Sequence, residues 1–437
     1  MNIARTICLG FLSVIAIGTL LLLLPIATSS GDWNNPIVAL FTATSAVCVT
    51  GLIVVDTGSY FSPIGQGIIL LLIQIGGLGY MTTTTFLILL LGRRRLDLGQ
   101  RVAIQEAFDR PFVQGSRSLL GSIALVTIGF EGLGFFLLLP LFAGRGDRVW
   151  QALFHSVSAW NNAGFSLLPD SLVSFRGSIW ANVTIPILII FGGLGYQTII
   201  ELSLWLTNRV RPARSRFVFS LNAKVALSTT LFLLVAGTLA FSLTPLIQEL
   251  SVGEKLIAAW FQSVTTRTAG FNTLDLGQMS EAALFLSIGL MFIGSSPSGT
   301  GGGIKTTTVR LLLVTTRSIL QGKTEVTLYE RTVPMPTILK ALAVLCGSVL
   351  AAILAIALLG RTDPQFRFIE IVFEAVSAYA TVGLSTGITN QFSLLGQLVL
   401  ICTMYVGRVG ILIFMSALLG APRPSNIHYP SENLLVG

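Results

Sequence analysis

A short motif returns four times along this chain at nearly equal intervals. Each copy begins with phenylalanine, passes through small and hydroxyl-bearing residues, and ends on a glycine that leucine or phenylalanine follows. The copies occupy residues 41–51, 154–164, 261–270 and 373–383. A spacing of about 110 residues, found four times, is the signature of an internally repeated architecture. The chain is therefore predicted to fold as four copies of one structural unit.

The composition indicates that these units lie in a membrane. The chain is 53% hydrophobic and 11% charged, with a mean hydropathy of +0.81, whereas soluble domains carry about 25% charged residues. The apolar run at 5–27 is longer than the 7–15 residues, roughly, of a signal-peptide core, so it is interpreted as the first membrane span. The cysteines show no metal-binding or disulfide spacing.

Apolar segments follow the same order in every repeat: a span, a shorter segment, the glycine loop and a second span. A bilayer-spanning helix needs about 20 apolar residues, so the shorter segments are predicted to be re-entrant. The first spans are 5–27, 119–142, 225–248 and 336–359, the short segments 37–48, 150–160, 254–265 and 366–379, and the second spans 63–91, 177–206, 281–320 and 392–419.

The predicted fold class is an all-α polytopic membrane protein, with eight transmembrane helices and four re-entrant helices around one central pore. The predicted divisions are repeat 1 at 1–92, repeat 2 at 112–208, repeat 3 at 222–322, repeat 4 at 333–420, and a C-terminal tail at 421–437. Repeat 3 contains an intramembrane loop at 294–304.

Most of the 27 lysines and arginines fall on one predicted side of the membrane, in segments 92–118, 207–224 and 304–340. Basic loops are cytoplasmic, so both termini are predicted to be cytoplasmic and the glycine loops to open outward. Such a basic face favours contact with anionic membrane lipid. A soluble regulatory domain would have to come from another chain.

The glycine loops have the chemistry of an ion filter. Irregular backbone at membrane depth is tolerated only inside protein or beside water, and rings of carbonyl groups replace the hydration shell of potassium. The fourth loop reads Thr381-Val382-Gly383, and the other loops keep the glycine but depart from Thr-Val before it. The short helices would point their negative C-terminal ends at the axis, which favours a cation. The predicted K⁺ filter consists of Thr50, Gly51, Ala163, Gly164, Ala269, Gly270, Val382 and Gly383.

A second repeated motif follows these loops. Residues 75–80 (IGGLGY) match 191–196 (FGGLGY), and close helix packing alone explains both. The third repeat has a longer, glycine-rich stretch here, in which Pro297 breaks the helix. A phosphate-binding loop is excluded because no strand precedes it. The predicted gate consists of Gly294, Ser295, Ser296, Pro297, Ser298, Gly299, Thr300, Gly301, Gly302, Gly303 and Lys305, together with Arg408 from the fourth repeat.

A charge inside a membrane span is a functional hypothesis that needs a named partner. Repeat alignment places Arg408 at the depth of the 294–303 loop, so it is predicted to hydrogen-bond the backbone of that loop. The alternative is a structural salt bridge to Glu131 or Glu201.

Arg267 lies inside the third glycine loop, where an unpaired positive charge would discourage cations. Glu374 and Asp275 are its candidate partners. Arg267 is interpreted as a scaffold for the loop rather than as an ion ligand.

On these residues the chain resembles the Trk/Ktr/HKT superfamily of potassium transporters, and within it the bacterial KtrB subunits. The marks are the four loop glycines, the run GSSPSGTGGGIKTTT that begins at Gly294, and the single basic residue Arg408. Larger Trk-type members carry two further N-terminal spans, which favours the KtrB-like group. The resemblance implies that the glycines line a selectivity filter and that Arg408 holds the intramembrane loop closed.

The resemblance also implies a homodimer with one pore in each protomer, in a bacterial inner membrane. It implies a cytosolic ring of nucleotide-binding, RCK-type regulatory subunits similar to KtrA, and uptake of K⁺ stimulated by Na⁺. No nucleic-acid partner is expected.

Three other classes of function are weighed against potassium uptake. Solute carriers also use broken helices, but from two inverted repeats rather than four direct ones. A membrane enzyme would need a catalytic set, and the two histidines lie far apart in sequence. The serious alternative is a poorly selective or Na⁺-conducting channel or transporter of the same fold, because three of the loops depart from Thr-Val-Gly.

Overall fold

The computed structural model describes residues 3–90, 116–144, 146–210 and 218–419. The C-terminal tail predicted at 421–437 lies outside these ranges. So do many of the basic residues that were used to predict orientation: Arg93, Arg94, Arg95, Arg101, Arg110, Arg145, Arg211, Arg214, Arg216 and Arg423.

The described residues are almost entirely helical. In chain order the longer helices are α1 (Ile3–Leu23), α2 (Pro36–Val47), α3 (Pro63–Leu90), α4 (Ser116–Leu138), α5 (Arg148–Trp160), α6 (Ile179–Leu194), α7 (Tyr196–Val210), α8 (Leu221–Ser242), α9 (Val252–Thr265), α10 (Glu281–Phe292), α11 (Thr306–Leu320), α12 (Met335–Thr362), α13 (Phe368–Tyr379), α14 (Leu394–Val409) and α15 (Ile411–Leu419). A two-residue hairpin pairs Thr327–Leu328 with Arg331–Thr332 between α11 and α12.

The first span of each repeat is one continuous helix. Within the described ranges, α1, α4, α8 and α12 are the unbent helices long and apolar enough to cross a membrane. Their outward faces carry exposed leucines such as Leu125, Leu231 and Leu350. Apolar side chains on the outside are favourable only in contact with lipid, which agrees with a multi-pass membrane protein.

The second span of each repeat is bent or broken. Helices α6 and α7 meet at Gly195 at an angle of 105°, and α14 and α15 meet at Gly410 at 98°. Gly79 interrupts α3 with φ 75° and ψ 157°, a conformation close to that of the other two glycines. In the third repeat, residues 293–305 separate α10 from α11. Close packing alone is therefore the wrong explanation for the IGGLGY and FGGLGY motifs, since their third glycine also bends the chain.

The short helices α2, α5, α9 and α13 form the buried centre of the protein. Each begins and ends within two residues of its predicted segment. The phenylalanine that starts each motif is almost completely buried, which anchors the short helix in the core. These anchors are Phe41, Phe154, Phe261 and Phe373.

The two ends of the described chain pack against each other. Helix α1 contacts α14 and α15. The Arg5 Nε donates to the Ala417 carbonyl at 2.9 Å, and the Tyr405 hydroxyl donates to the Cys8 carbonyl at 2.9 Å. The first and fourth repeats are therefore neighbours, and the four repeats close into a ring.

Candidate functional site

The four glycine loops meet at the centre of this ring. A Cβ placed on Gly51 would collide with the carbonyl oxygen of Ala163, the residue before the glycine of the next repeat. The same relation holds from Gly164 to Ala269, from Gly270 to Val382 and from Gly383 back to Thr50. The structure thus brings together all eight residues proposed for the filter. They form one closed ring, hereafter the glycine ring, in which the repeats follow in chain order.

The backbone of the glycine ring is strained in the same way in every repeat. The four glycines have φ values between 69° and 90°. The residue two positions before each glycine also has a positive φ, a backbone conformation that residues other than glycine rarely adopt. These residues are Val49 (55°), Asn162 (57°), Thr268 (66°) and Thr381 (52°). Positive φ at alternate residues turns successive peptide groups to one side. Such a conformation costs about 1–3 kcal/mol per residue, so it persists only where contacts with the surrounding protein hold it in place.

A hydroxyl on each short helix holds the adjacent loop. The Gly51 N–H donates to Ser45 Oγ at 3.1 Å. The Ser158 and Thr265 hydroxyls donate to the carbonyls of Phe165 and Phe271 at 2.8 and 2.7 Å. All these hydroxyls lie four residues after the motif phenylalanine. This regular spacing is visible in the sequence, but the sequence prediction of the filter did not use it.

In the fourth repeat Ser377 makes two such bonds, accepting from the Gly383 N–H and donating to the Leu384 carbonyl at 2.6 Å. We expect Ser377→Ala to lower the free energy of unfolding by about 1–3 kcal/mol, because it leaves buried backbone groups without partners. Ser377→Thr is the matched control, since the third repeat has threonine at this position. Thermal unfolding of purified protein in detergent measures both. Equal stability of the alanine and wild-type proteins would contradict this role.

A cavity of about 560 Å³ opens on one side of the glycine ring. The four ring glycines line its floor, and Asp56, Asp170 and Asp275 line its wall. No lysine or arginine is among the described residues that line it. Each aspartate also accepts a hydrogen bond from a nearby backbone N–H, at 2.9–3.0 Å. The cavity is therefore negative, which raises the local concentration of cations.

Two buried titratable side chains lie behind the ring, each directly after a motif phenylalanine. The His155 ring lies between the Gln151 carbonyl and the Ser166 hydroxyl, at 2.8 and 2.9 Å. Glu374 accepts hydrogen bonds from the residues just beyond Gly383, and so supports the wall of the cavity. Its donors are the Ser385 hydroxyl (2.6 Å), the Thr386 N–H (3.0 Å) and the Thr389 hydroxyl (2.8 Å).

The predicted partners of Arg267 are wrong. Its guanidinium donates to the carbonyl and the hydroxyl of Thr230, at 3.5 and 3.3 Å. Asp275 instead accepts from Gly277 and Gln278. Arg267 is buried and ties the third loop to α8.

Residues 294–305, hereafter the intramembrane loop, lie against the opposite side of the glycine ring. A Cβ on Gly301 or Gly302 would collide with the hydroxyl of Thr268 or Thr381, so glycine permits the close approach. The Gly302 N–H donates to Thr381 Oγ1 at 3.1 Å. Within the loop the Lys305 ammonium donates to the Gly301 carbonyl at 2.8 Å and to Ser295 Oγ at 3.1 Å. The lysine thus braces the loop from within.

Arg408 reaches this loop from the fourth repeat. Its guanidinium donates to the Thr300 carbonyl in the loop and to the Gly76 carbonyl in the first repeat. One side chain therefore links three repeats directly below the ring. The alternative partners are wrong, because Glu131 accepts from Asn161 and Glu201 accepts from the Ser220 N–H.

Comparisons with known proteins agree with this architecture. The family model for TrkH, described as a cation transport protein, matches residues 7–429. The Ktr system potassium uptake protein B of Bacillus subtilis (strain 168) is 39% identical, over 99% of this chain and 96% of its own length. The potassium/sodium uptake protein NtpJ of Enterococcus hirae is 37% identical, over 99% and 97%. 

Among solved structures, the crystal structure of the potassium transporter TrkH from Vibrio parahaemolyticus has a TM-score of 0.71 to this chain and 18% sequence identity. The match covers 94% of this chain and 85% of that one. This likeness supports the fold, and the family match extends over almost the whole sequence. The chain therefore belongs to the TrkH family of cation transport proteins.

Proposed function

We propose that this chain is the ion-translocating membrane subunit of a potassium uptake system. The observation that carries the proposal is the glycine ring, in which four loops close around one axis in chain order. Thr50, Ala163, Ala269 and Val382 would present carbonyl oxygens that replace the water around K⁺. The short helices end at the ring, so their negative C-terminal ends favour a cation there. K⁺ is the transported ion, and the role is transport rather than catalysis.

The intramembrane loop would be the gate. It lies directly beneath the ring, so an ion leaving the ring must pass it. Arg408 holds it through Thr300, and Lys305 keeps its shape. Movement of the loop would open the path, as expected of a two-state element.

We further propose a homodimer in a bacterial inner membrane, with cytoplasmic termini and anionic lipid at the basic face. The Bacillus subtilis relative is named as protein B of a Ktr system, which supports a cytosolic partner. That partner would be a ring of nucleotide-binding, RCK-type subunits, similar to KtrA. Na⁺ would act as an activator.

A poorly selective cation channel is the second candidate. Three of the four loops depart from Thr-Val-Gly, and one relative is named a potassium/sodium uptake protein. The two candidates differ in how the ring discriminates between K⁺ and Na⁺.

The proposal is tested by expressing the chain in bacteria that lack their own potassium transporters. Saturable K⁺ uptake that rises with external Na⁺ is the expected result. Equal flux of both ions would favour the poorly selective channel. If uptake requires a co-expressed cytosolic subunit, that subunit is an obligatory partner, and no uptake even with it would contradict the proposal.

The negative cavity provides a further prediction. We expect Asp170→Asn to raise the KM for K⁺ about twofold to fivefold while the maximum rate stays near that of wild type, because it weakens cation attraction without touching the ring. Asparagine still accepts the Ser174 N–H, so the local turn is kept. The increase should shrink at high ionic strength, where exposed charges are screened. An unchanged KM at low ionic strength would show that this charge does not attract the ion.

A further inference from the structure

The bend in the second repeat, at residues 192–196, makes contacts that the proposed gate does not yet explain. In a continuous helix the Gly192 carbonyl would accept the N–H of Tyr196. At the bend this pairing is replaced by bonds to the intramembrane loop. The Tyr196 N–H donates to the Ser298 carbonyl at 3.2 Å, and the Gly192 carbonyl accepts the Thr300 N–H at 3.1 Å.

A third bond completes this pairing, from the Ser296 N–H to the Gly193 carbonyl at 2.9 Å. The bend therefore exposes two carbonyls and one N–H, and the loop supplies a partner for each. Backbone groups at membrane depth cannot turn to water instead, so both segments depend on the pairing.

Gly195 makes this arrangement possible. Its φ of 85° and ψ of 143° are not accessible to other residues without strain. A Cβ there would collide with the Pro297 carbonyl of the loop. Gly410 adopts nearly the same conformation in the fourth repeat, but a Cβ there would meet open space. The two bends are alike in geometry, and the intramembrane loop packs closely against the one at Gly195.

We propose that the 192–196 bend is a second latch of the intramembrane loop, which works together with Arg408 and rests on the proposed gating function. Arg408 holds the loop through the Thr300 carbonyl, and the bend holds the same residue through its N–H. Opening of the gate must break both. Tyr196 and Gly195 are positioning residues, because they act through the loop and not on the ion.

Tyr196→Pro tests this latch at the backbone nitrogen that bonds the loop. Tyr196 is the first residue of α7, where proline is well tolerated because no helical N–H is lost. The ψ of Gly195 also suits a residue that precedes proline. The substitution removes the N–H that bonds Ser298 and places the proline Cδ where that hydrogen pointed, so the Ser298 carbonyl must also move away. Tyr196→Ala is the matched control, because it loses the same side chain, including its hydroxyl contact with Ser122, and keeps the N–H.

In K⁺ uptake assays normalised to protein in the membrane, we expect Tyr196→Pro to exceed Tyr196→Ala in maximum rate by at least about threefold, because the proline removes one hydrogen bond and also displaces its acceptor. The KM should stay the same, because the glycine ring is untouched. Added to Arg408→Ala, the proline should increase the rate less than it does alone. Ile411→Pro, measured against Ile411→Ala at the corresponding position after Gly410, should show no such difference.

Other results would distinguish failure of the second latch from failure of the proposed gate. If Arg408→Ala raises the rate and the proline and alanine variants at Tyr196 are equal, the second latch is wrong and the gate stands. A change in KM alone would also overturn the latch, since the loop would then act on the filter. If wild type transports K⁺ and neither Arg408→Ala nor Tyr196→Pro changes the rate, both the gate and its latches are wrong.

Discussion

Gly383→Ser is expected to reduce the preference for K⁺ over Na⁺ by at least about tenfold, the change that 1.4 kcal/mol produces. Gly383 has φ 90°, and any Cβ there collides with the Thr50 carbonyl at the point where the ring closes. The serine must therefore displace one of the four carbonyls proposed to hold the ion. The loss should appear as a higher KM for K⁺ and as measurable Na⁺ uptake.

Gly387→Ser is the matched control for this substitution. Gly387 also has positive φ, 93°, but a Cβ there has no neighbour within 4 Å. It shares the backbone strain of Gly383 without touching the ring. Unaltered selectivity in a folded Gly383→Ser protein would remove this loop from the filter.

Arg408→Ala is expected to raise the maximum rate of K⁺ uptake severalfold, with the KM near that of wild type. The substitution breaks the bonds to the Thr300 and Gly76 carbonyls and leaves the ring intact. Hydrogen bonds from charged donors contribute about 1.5–3 kcal/mol each, so the closed loop loses a large part of its support. The change is measured as initial uptake rates over a range of K⁺ concentrations.

Arg408→Lys separates geometry from charge. A lysine keeps the positive charge but lacks the planar fork that reaches two carbonyls at once, so an intermediate rate is expected. Arg367→Ala is the control for loss of an arginine, because Arg367 is an exposed side chain that pairs with Glu370 and touches neither the glycine ring nor the intramembrane loop. An unchanged or lower rate in well-folded Arg408→Ala protein would contradict the latch.

The repeated architecture could be predicted because each unit is marked by short sequence motifs. The short helices lie where their motifs are, and each contains its motif phenylalanine as a buried residue, as for Phe41. The break in the third repeat could also be predicted from Pro297.

The backbone of the ring could not be predicted. Val49 and Thr381 are β-branched residues, which ordinarily disfavour positive φ, so their identity points away from the conformation they adopt. The Thr381 hydroxyl accepts the Gly302 N–H of the third repeat, a contact that the sequence does not reveal. The difference between Gly195 and Gly410 is equally invisible in sequence, because it depends on which bend the intramembrane loop meets.

The partner of Arg267 shows a further limit. Charge complementarity pointed to Glu374 or Asp275, but each of these carboxylates already accepts hydrogen bonds from its own loop. Arg267 instead reaches Thr230 on a neighbouring helix. Sequence reveals which charges need partners, but hydroxyl and backbone groups satisfy many of them.

The order of the repeats around the glycine ring has a consequence for biosynthesis. The contact that closes the ring joins Gly383 to Thr50, which lie near opposite ends of the chain, and Arg5 and Ala417 join the same two repeats. A ribosome delivers the fourth repeat last, so the ring stays open until nearly the whole chain has entered the membrane. An unfinished nascent chain therefore lacks the complete glycine ring, whose last contact can form only after the fourth repeat has been inserted.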